Sequence, residues 1–275
     1  MKRLFQFVCV LFAIVLVSCK PEDDTFILGG NNEDIGCAVT SIIEYFDFLS
    51  TPCEGELMIQ SISSEYSEAS LTAISSISGN RSPLGLLYNG AKALKDVEYY
   101  YSKSSNKSYS NYLSRDFIID VRQLFGRHFS LDALADNMAV KSMTNTGDSS
   151  MYFPQLINVQ FENLDNGKIV PGTIVNWNLD EENSNGIVIA VEYNPKTQVD
   201  SNVSTAYPEA LMYAVTVVDN GSYTVTSEDL AYFPDGARAN IYIGRAGFHK
   251  TQGSDGLTYS ISAYSLFSAS YLICR

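Results

Sequence analysis

Alternating hydrophobic and polar residues dominate the C-terminal half of the chain, and this is the pattern of strands with one buried face. Residues 173–179 alternate in this way around Trp177, and residues 187–193 alternate again. Residues 257–263 and 267–273 repeat the pattern and predict two further strands. Short strands at this spacing are typical of an antiparallel β-sandwich.

Turn residues lie between the predicted strands. An Asp-Asn-Gly sequence at residues 219–221 joins the apolar residues 213–218 to residues 223–225. It predicts a β-hairpin, because Asn and Gly tolerate positive φ. Residues 227–230 predict a single capped helical turn, and residues 234–236 predict a turn. The strand that follows has three apolar side chains on one face: Ala239, Ile241 and Ile243.

The N-terminal half has a less regular pattern. Residues 35–49 place apolar side chains at helical spacing after Asp34, a candidate N-cap, and predict a short helix. Apolar runs within residues 57–78 and 85–101 are interrupted by Gly-Asn and Asn-Gly pairs, which favours strands and turns. Residues 116–125 fit either a strand or a helical turn.

The first residues have the organisation of a bacterial export signal. Two basic residues precede an apolar run over residues 4–17, which is too short to span a bilayer as a helix of about 20 residues. A Leu-Val-Ser-Cys sequence at residues 16–19 ends the run and resembles the lipobox cut by lipoprotein signal peptidase. The resemblance implies that residues 1–18 are removed and that Cys19 carries acyl chains. An ordinary secretory signal is the alternative.

An acidic stretch follows the lipidation site. Residues 20–24, Lys-Pro-Glu-Asp-Asp, are similar to the signal that sends lipoproteins of Bacteroidota to the outer face of the outer membrane, although the proline departs from its tightest form. This resemblance implies a protein that is lipid-anchored in the outer membrane at the cell surface. The alternative is a tether kept solvated by its charge.

The chain is long enough for one large β domain or two of ordinary size. We predict a signal peptide over residues 1–18 and a lipidated tether with a short helix over residues 19–55. An N-terminal β-rich module then occupies residues 56–150, and a second β module occupies residues 151–275.

The second predicted module resembles an immunoglobulin or fibronectin type III-like domain. Trp177, residues 187–193, Leu230 and Tyr242 follow the order of the core markers in that fold. With the signal, the chain resembles Bacteroidota surface lipoproteins that carry such modules. The implied fold is mainly β, an antiparallel immunoglobulin-like β-sandwich in two modules with a short N-terminal helix.

The charge of the chain bears on its partners. It has 18 basic and 31 acidic residues, a formal net charge of −13. Such a surface repels nucleic acid, which we exclude as a partner. With only two histidines, the sequence supplies little for a metal or acid–base site, and we predict no metal, no cofactor and no catalytic residues.

Three cysteines remain after cleavage of the signal and lipidation of Cys19. An export compartment permits disulfides, and Cys37 and Cys53 are close enough in sequence to form one. That pairing would leave Cys274 without a partner. The sequence does not determine which cysteines pair.

Gly36-Cys37 is similar to the start of the nucleophile helix in streptopain-like cysteine peptidases, where the helix N-terminus favours a thiolate. Such an enzyme needs a histidine, and the candidate is His128, which lacks the sequence surroundings of that family. His249 is predicted on a glycine-rich turn. A secreted cysteine peptidase using Cys37 and His128 is therefore the alternative to a non-enzymatic protein, and a buried or disulfide-bonded Cys37 is favoured.

Residues 181–186, with Glu192 at the twelfth position, imitate a calcium-binding EF-hand loop. The first position is Glu where Asp is usual, and the flanking residues are predicted strands. A polar hairpin loop is the better interpretation.

Tyrosines provide the remaining candidate surface. Tyr99, Tyr100 and Tyr101 offer aromatic rings for stacking on sugars or for contact with a protein, whereas Trp177 is predicted in the core. The sequence thus favours a lipid-anchored binding or adhesion protein for a glycan or protein ligand. A structural spacer is a further alternative.

Overall fold

The computed structural model describes residues 25–28, 53–80, 84–88, 91–118, 120, 123–129, 132–135, 138–139, 151–198, 200–252 and 256–275. The prediction of a mainly β protein is confirmed. The strands of the N-terminal half are β1 (Thr25–Leu28), β2 (Gly55–Ser64), β3 (Ser67–Ser78), β4 (Gly85–Tyr88), β5 (Ala91–Lys92), β6 (Tyr100–Ser102), β7 (Lys107–Leu113), β8 (Arg127–Phe129), β9 (Asp132–Ala135) and β10 (Met138–Ala139). Those of the C-terminal half are β11 (Met151–Phe153), β12 (Val159–Glu162), β13 (Lys168–Ile169), β14 (Ile174–Trp177), β15 (Ile187–Tyr193), β16 (Leu211–Val217), β17 (Ser222–Thr224), β18 (Arg238–Gln252) and β19 (Thr258–Ile273).

In the described residues, short α-helices occupy two of the connections between strands. Helix α1 (Ser201–Ala206) begins after Asp200, whose side chain accepts a hydrogen bond from the Asn202 amide. Helix α2 (Ser227–Leu230) begins with a reciprocal capping box between Thr226 and Asp229. The predicted capped turn at residues 227–230 is confirmed. A 3₁₀ turn covers Ser114–Asp116 and overlaps the region that fitted either a strand or a helical turn, residues 116–125, at Asp116 only.

A ten-stranded sheet, here called the large sheet, forms the framework. Its strand order is β1-β16-β15-β18-β19-β2-β3-β7-β6, and β13 pairs with β19 beside this path. Most neighbours are antiparallel, but β1 is parallel to β16, and β19 is parallel to both β2 and β13. Because β2 lies beside β19, the sheet joins strands from both predicted modules.

The two strands predicted over residues 257–263 and 267–273 are one strand, β19, and that part of the prediction is wrong. The strand continues because Ser265 keeps the alternation between the two apolar segments, and β18 pairs with β19 from Arg238↔Leu272 to Gln252↔Thr258. The Ser265 hydroxyl accepts a hydrogen bond from the Ile157 amide at 2.7 Å, so a buried polar side chain is satisfied in mid-strand.

The hairpin predicted around residues 219–221 is also wrong. Strand β16 pairs with β15, whereas β17 pairs with β14 in a separate three-stranded sheet, β12-β14-β17. The turn therefore carries the chain from one sheet to the other. The Asp219 side chain is directed into the protein, where it accepts a hydrogen bond from Trp177 Nε1 at 2.8 Å.

Two apolar clusters pack on one face of the large sheet, here called the main face. The first joins β2, β3 and the start of β19 to Leu84, Leu124 and Phe153. The second joins β15, β16, β18 and the end of β19 to the three-stranded sheet and α2, and it includes Trp177 and Leu230. The prediction of Trp177 in the core is confirmed.

Several predictions fall on residues outside those described: the signal peptide, the lipidated Cys19, the short helix over residues 35–49 and Cys37. Among the described residues, no helix is long and apolar enough to cross a membrane.

Candidate functional site

Two tyrosines stack on each other near the β6 edge of the large sheet. Tyr100 on β6 lies opposite Tyr109 on β7, with ring centroids 5.2 Å apart and ring planes inclined by 19°. Tyr100 is 58% exposed, and its neighbour Tyr99 is 42% exposed. We call Tyr100 and Tyr109 the tyrosine pair. It presents an aromatic surface to solvent, with one ring held in place by the other.

The hairpin that joins β6 to β7 is held by its own polar side chains. Tyr101 donates a hydrogen bond to Asn106 Oδ1 at 2.7 Å, and Tyr109 donates to the Ser105 hydroxyl at 3.2 Å. Asn106 adopts a positive φ of 51°, which asparagine tolerates better than most residues. The three consecutive tyrosines thus have two roles: Tyr99 and Tyr100 are exposed, whereas Tyr101 supports the turn.

A charged cluster lies buried between the large sheet and the three-stranded sheet. The Arg245 guanidinium is 3.4 Å from Asp180 Oδ2 and 3.4 Å from Asp219 Oδ2, and these three side chains are 0%, 1% and 2% exposed. Arg245 Nη2 donates to the Asn178 carbonyl at 2.5 Å, but Nε and Nη1 make no hydrogen bond. Burial lowers the pKa of the Arg245 guanidinium, and the two carboxylates oppose this shift.

Uncharged groups donate further hydrogen bonds to both carboxylates. Asp180 accepts hydrogen bonds from the Tyr152 hydroxyl and the Gln155 amide, each at 2.7 Å. Asp219 accepts from Trp177 Nε1 and from Asn183 Nδ2 at 2.9 Å. These hydrogen bonds join the loops of the two sheets. Because the charged groups are closed off from solvent, they offer no surface to which a ligand could bind.

A third buried carboxylate, Asp229, accepts hydrogen bonds from two tyrosines. Tyr213 donates to one oxygen, and Tyr223 donates to the other at 2.8 Å. The Thr226 amide and hydroxyl also donate to Asp229, which connects α2 to both sheets. Burial, together with the neighbouring carboxylate, raises the pKa of both tyrosines.

The raised tyrosine pKa values predict a loss of stability in alkali. A buried tyrosine with a folded-state pKa above its unfolded value of about 10 contributes stability that is complete below pH 10 and is lost as the pH rises further. For Tyr213, we expect the free energy of unfolding to fall by about 1 kcal/mol between pH 10 and pH 11, because the unfolded tyrosine is already half ionised at pH 10. Urea unfolding of the wild type and of Tyr213→Phe at pH 8, 10 and 11 measures this slope.

The Tyr213→Phe variant should show a shallower decline above pH 10 than the wild type. Tyr66→Phe is the matched control, since Tyr66 is 94% exposed, and it should keep the wild-type slope. Equal slopes in Tyr213→Phe and the wild type would contradict a raised pKa of Tyr213 in the folded protein.

Both described cysteines carry free thiols. Cys53 Sγ donates to Glu56 Oε1 at 3.2 Å and lies 3.4 Å from the Ser260 hydroxyl. Burial raises the pKa of the Cys53 thiol to about 11; the Glu56 carboxylate adds to the rise, and the Ser260 hydrogen bond opposes it. Cys53 is a free thiol in this structure, and the predicted partner, Cys37, lies outside the described residues. The Cys37–Cys53 disulfide stays a prediction for the exported protein.

Cys53 should therefore react slowly with alkylating reagents. Its thiolate fraction at pH 8 is about 100-fold below that of a thiol with the ordinary pKa of 9.0, and the thiolate is the nucleophile. We expect iodoacetamide labelling of Cys53 to accelerate about tenfold per pH unit up to pH 11. Peptide mass mapping measures the rate, with Cys274 in the same digest as the reference, and rapid labelling of Cys53 at pH 8 would contradict the raised pKa.

The two histidines occupy different strands. His128 lies in β8 and pairs with Tyr152 of β11. His249 lies within β18, opposite Ile261, so its predicted position on a turn is wrong. Burial lowers the pKa of His249. Strand β18 continues past His249 because its pairing with β19 extends to Gln252.

The loop that imitates a calcium site uses its side chains within the fold. Asn183 donates to Asp219 and to the Gly186 carbonyl, and Asn185 donates to the Ala246 carbonyl at 2.8 Å. Glu192, the twelfth position, lies in β15 and accepts a hydrogen bond from Tyr242 at 3.0 Å. In the part of the chain that the structure describes, no three metal-ligating side chains come together.

Three residues of the buried charged clusters and of the tyrosine pair were not predicted from the sequence, although the sequence pattern indicated the position of each. Arg245 continues the inward alternation of Ala239, Ile241 and Ile243, and a charged residue at an inward position predicts a buried ion pair. Tyr109 alternates with residues of β7 that face the core and is therefore directed away from it. Asp229 follows Thr226 at the spacing of a capping box.

The sequence was also compared with known proteins. No protein-family model matches the chain, and no curated protein is significantly similar to it.

Proposed function

We propose that the protein is a lipid-anchored binding or adhesion protein of the cell surface, without a catalytic role, and that the tyrosine pair contacts its ligand. The observation that carries the proposal is the exposed, pre-stacked geometry of Tyr100 on Tyr109. An aromatic ring that is already fixed loses little conformational entropy when a ligand binds to it.

The distribution of charge supports a neutral ligand. The protein carries a formal net charge of −13, which opposes binding of nucleic acid and other polyanions. The buried carboxylates Asp180, Asp219 and Asp229 are all engaged with donors inside the fold. Stacking of a sugar ring on Tyr100 needs no charged partner, so a glycan is the first candidate ligand.

A protein partner is the second candidate, and the position of β6 favours it. Strand β6 ends the strand order of the large sheet, and no described strand pairs with its outer side. A strand from a partner could add to this edge. The edge strand has only three residues, however, and short edge strands limit such addition. The glycan therefore remains the preferred ligand.

The anchor and the fold family are part of the same proposal. The lipobox-like sequence at residues 16–19 supports lipidation of Cys19, and the acidic residues 20–24 support exposure at the surface of the outer membrane. For residues 151–275, an immunoglobulin-like sandwich is supported by the packing of the three-stranded sheet on the large sheet. The parallel pairs of β19 lie outside the ordinary pattern of that fold.

Replacing Tyr100 by alanine tests the binding surface. We expect the affinity for a glycan to fall by about tenfold, or about 1.4 kcal/mol, because the variant loses the stacking ring. The purified protein is first tested on a glycan array, and the affinity for the best glycan is then measured by calorimetry. Because Tyr100 is exposed, Tyr100→Ala should keep the wild-type unfolding transition.

Tyr66→Ala is the matched control, since it removes an exposed tyrosine from the β2–β3 turn, and it should bind like the wild type. Wild-type affinity in Tyr100→Ala would refute the role of the tyrosine pair. No signal on the array, together with a specific partner that protein pull-down recovers and that Tyr100→Ala loses, would favour the protein ligand.

A further inference from the structure

The charge of the protein is unevenly distributed along the chain. The whole sequence has a formal net charge of −13, whereas residues 91–118 contain more basic than acidic side chains. The basic residues of this segment are Lys92, Lys95, Lys103, Lys107 and Arg115, and the acidic ones are Asp96, Glu98 and Asp116. Strands β6 and β7 both lie in the segment. The tyrosine pair is therefore in a locally positive part of an acidic protein.

Lys107 lies on the same face of the β6–β7 hairpin as the tyrosine pair. Side chains two residues apart in a strand are directed to one side, so Lys107 and Tyr109 of β7 share a face. Their cross-strand partners in β6 are Ser102 and Tyr100, which share that face. Neighbouring positions along the face are about 7 Å apart. The stacked rings thus lie directly beside a lysine and a serine.

Both cross-strand neighbours of Lys107 have short side chains. Lys107 lies opposite Ser102 of β6 and opposite Ser78 of β3. The lysine is partly exposed. Its charge opposes part of the rise in the pKa of the Cys53 thiol. The long side chain of Lys107 therefore extends above two serines, next to the rings of the tyrosine pair.

The Lys107 ammonium makes no hydrogen bond or ion pair with any residue that the structure describes. Two other lysines of the segment do have partners. Lys92 forms an ion pair with Asp96 at 2.7 Å. Lys95 donates to the Arg115 carbonyl. An ammonium has three donors and no acceptor, so the Lys107 donors are available to an oxygen atom from outside the protein.

We propose that Lys107 is the second contact for the saccharide at the tyrosine pair: the sugar ring stacks on the tyrosines, and the ammonium donates a hydrogen bond to an oxygen atom of the sugar. The acceptor is a hydroxyl of a neutral sugar or the single carboxylate of an acidic one. This inference rests on the proposed glycan ligand. Stacking is available to many sugar rings, whereas a fixed donor beside the ring selects the orientation of the sugar.

Removal of the ammonium tests the contact. Lys107→Met keeps an aliphatic side chain, and we expect it to bind the glycan about tenfold more weakly than the wild type. Lys103→Met is the matched control, because Lys103 is an exposed lysine in the turn of the same hairpin and its loss changes the net charge equally. It should bind like the wild type. Lys107→Arg keeps a cationic donor and should keep most of the affinity.

The probes are a glycan array with neutral and singly acidic glycans and then the strongest binder as a soluble oligosaccharide in calorimetry. Lys107→Met should keep the wild-type unfolding transition, because it removes no contact with a described residue. Salt distinguishes the two acceptors: the affinity for a carboxylate falls as the salt concentration rises, whereas the affinity for a neutral sugar changes little.

Three results would overturn the contact. If Lys107→Met binds as tightly as Lys103→Met while Tyr100→Ala loses affinity, Lys107 does not contact the sugar, although the tyrosine pair does. Equal losses in Lys107→Met and Lys103→Met would assign the effect to long-range charge. Absence of glycan binding by the wild type would overturn both this inference and the glycan ligand on which it rests.

Discussion

Arg245→Met is expected to destabilise the protein by about 3–5 kcal/mol, the cost of removing one partner from a buried ion cluster. Among the described residues, the guanidinium is the only cation placed against Asp180 and Asp219, which are almost fully buried. Without it, two carboxylates remain in a site closed to water. Methionine fills much of the same volume, so loss of charge compensation is the main effect. Chemical denaturation followed by tryptophan fluorescence measures the change, because Trp177 donates to Asp219.

Arg238→Met is the matched control, because Arg238 is an exposed arginine in the same strand, β18. Its stability should stay within about 0.5 kcal/mol of the wild type. Adding Asp219→Asn to Arg245→Met removes one of the uncompensated charges and should recover part of the loss. If Arg245→Met were as stable as Arg238→Met, the buried cluster would not contribute to stability as described.

Cys19→Ala is expected to abolish lipidation. The resemblance of residues 16–19 to a lipobox implies that acyl transfer and signal cleavage both need this cysteine. The variant should lose incorporation of an alkyne-labelled fatty acid completely and should retain residues 1–18. Its membrane association is not informative, because the uncleaved apolar segment can itself bind lipid. The acyl label and the mass of the N-terminal peptide are the measurements.

Cys9→Ala is the control for Cys19→Ala, because Cys9 lies within the segment that is predicted to be removed. It should be labelled and cleaved like the wild type. No fatty-acid incorporation in the wild type, together with a mature N-terminus at a residue other than Cys19, would show that the export signal is of the ordinary secretory type, and incorporation that persists in Cys19→Ala would place the acyl chain on another residue.

The strands could be predicted where one face is buried. Residues 187–193 form β15 as their alternation indicates, and Ala239, Ile241 and Ile243 all face the main-face core. The pattern identifies a strand and its buried side, but it contains no information about the partner strand. For this reason the pairing of β19 with β2, across some 200 residues of sequence, and the passage from β16 to β17 between two sheets could not be predicted.

The sequence predicted that tyrosines form the candidate site, but it did not predict how their rings are arranged. The run of tyrosines at residues 99–101 indicated an aromatic surface, and Tyr99 and Tyr100 are exposed. The stacking partner, Tyr109, comes from the next strand, so only the pairing of β6 with β7 brings it to Tyr100. Asp180 and Asp219 were missed because most of their donors are distant in sequence: Trp177, which donates to Asp219, lies 42 residues earlier, in the three-stranded sheet.

Binding by intact cells tests the central proposal most directly. Cells that display the wild type, Tyr100→Ala or Tyr66→Ala at equal surface density are incubated with fluorescent glycans selected on the array. We predict that the wild type and Tyr66→Ala bind the same glycan and that Tyr100→Ala binds about tenfold less. Equal binding by all three would contradict a ligand surface built on the tyrosine pair.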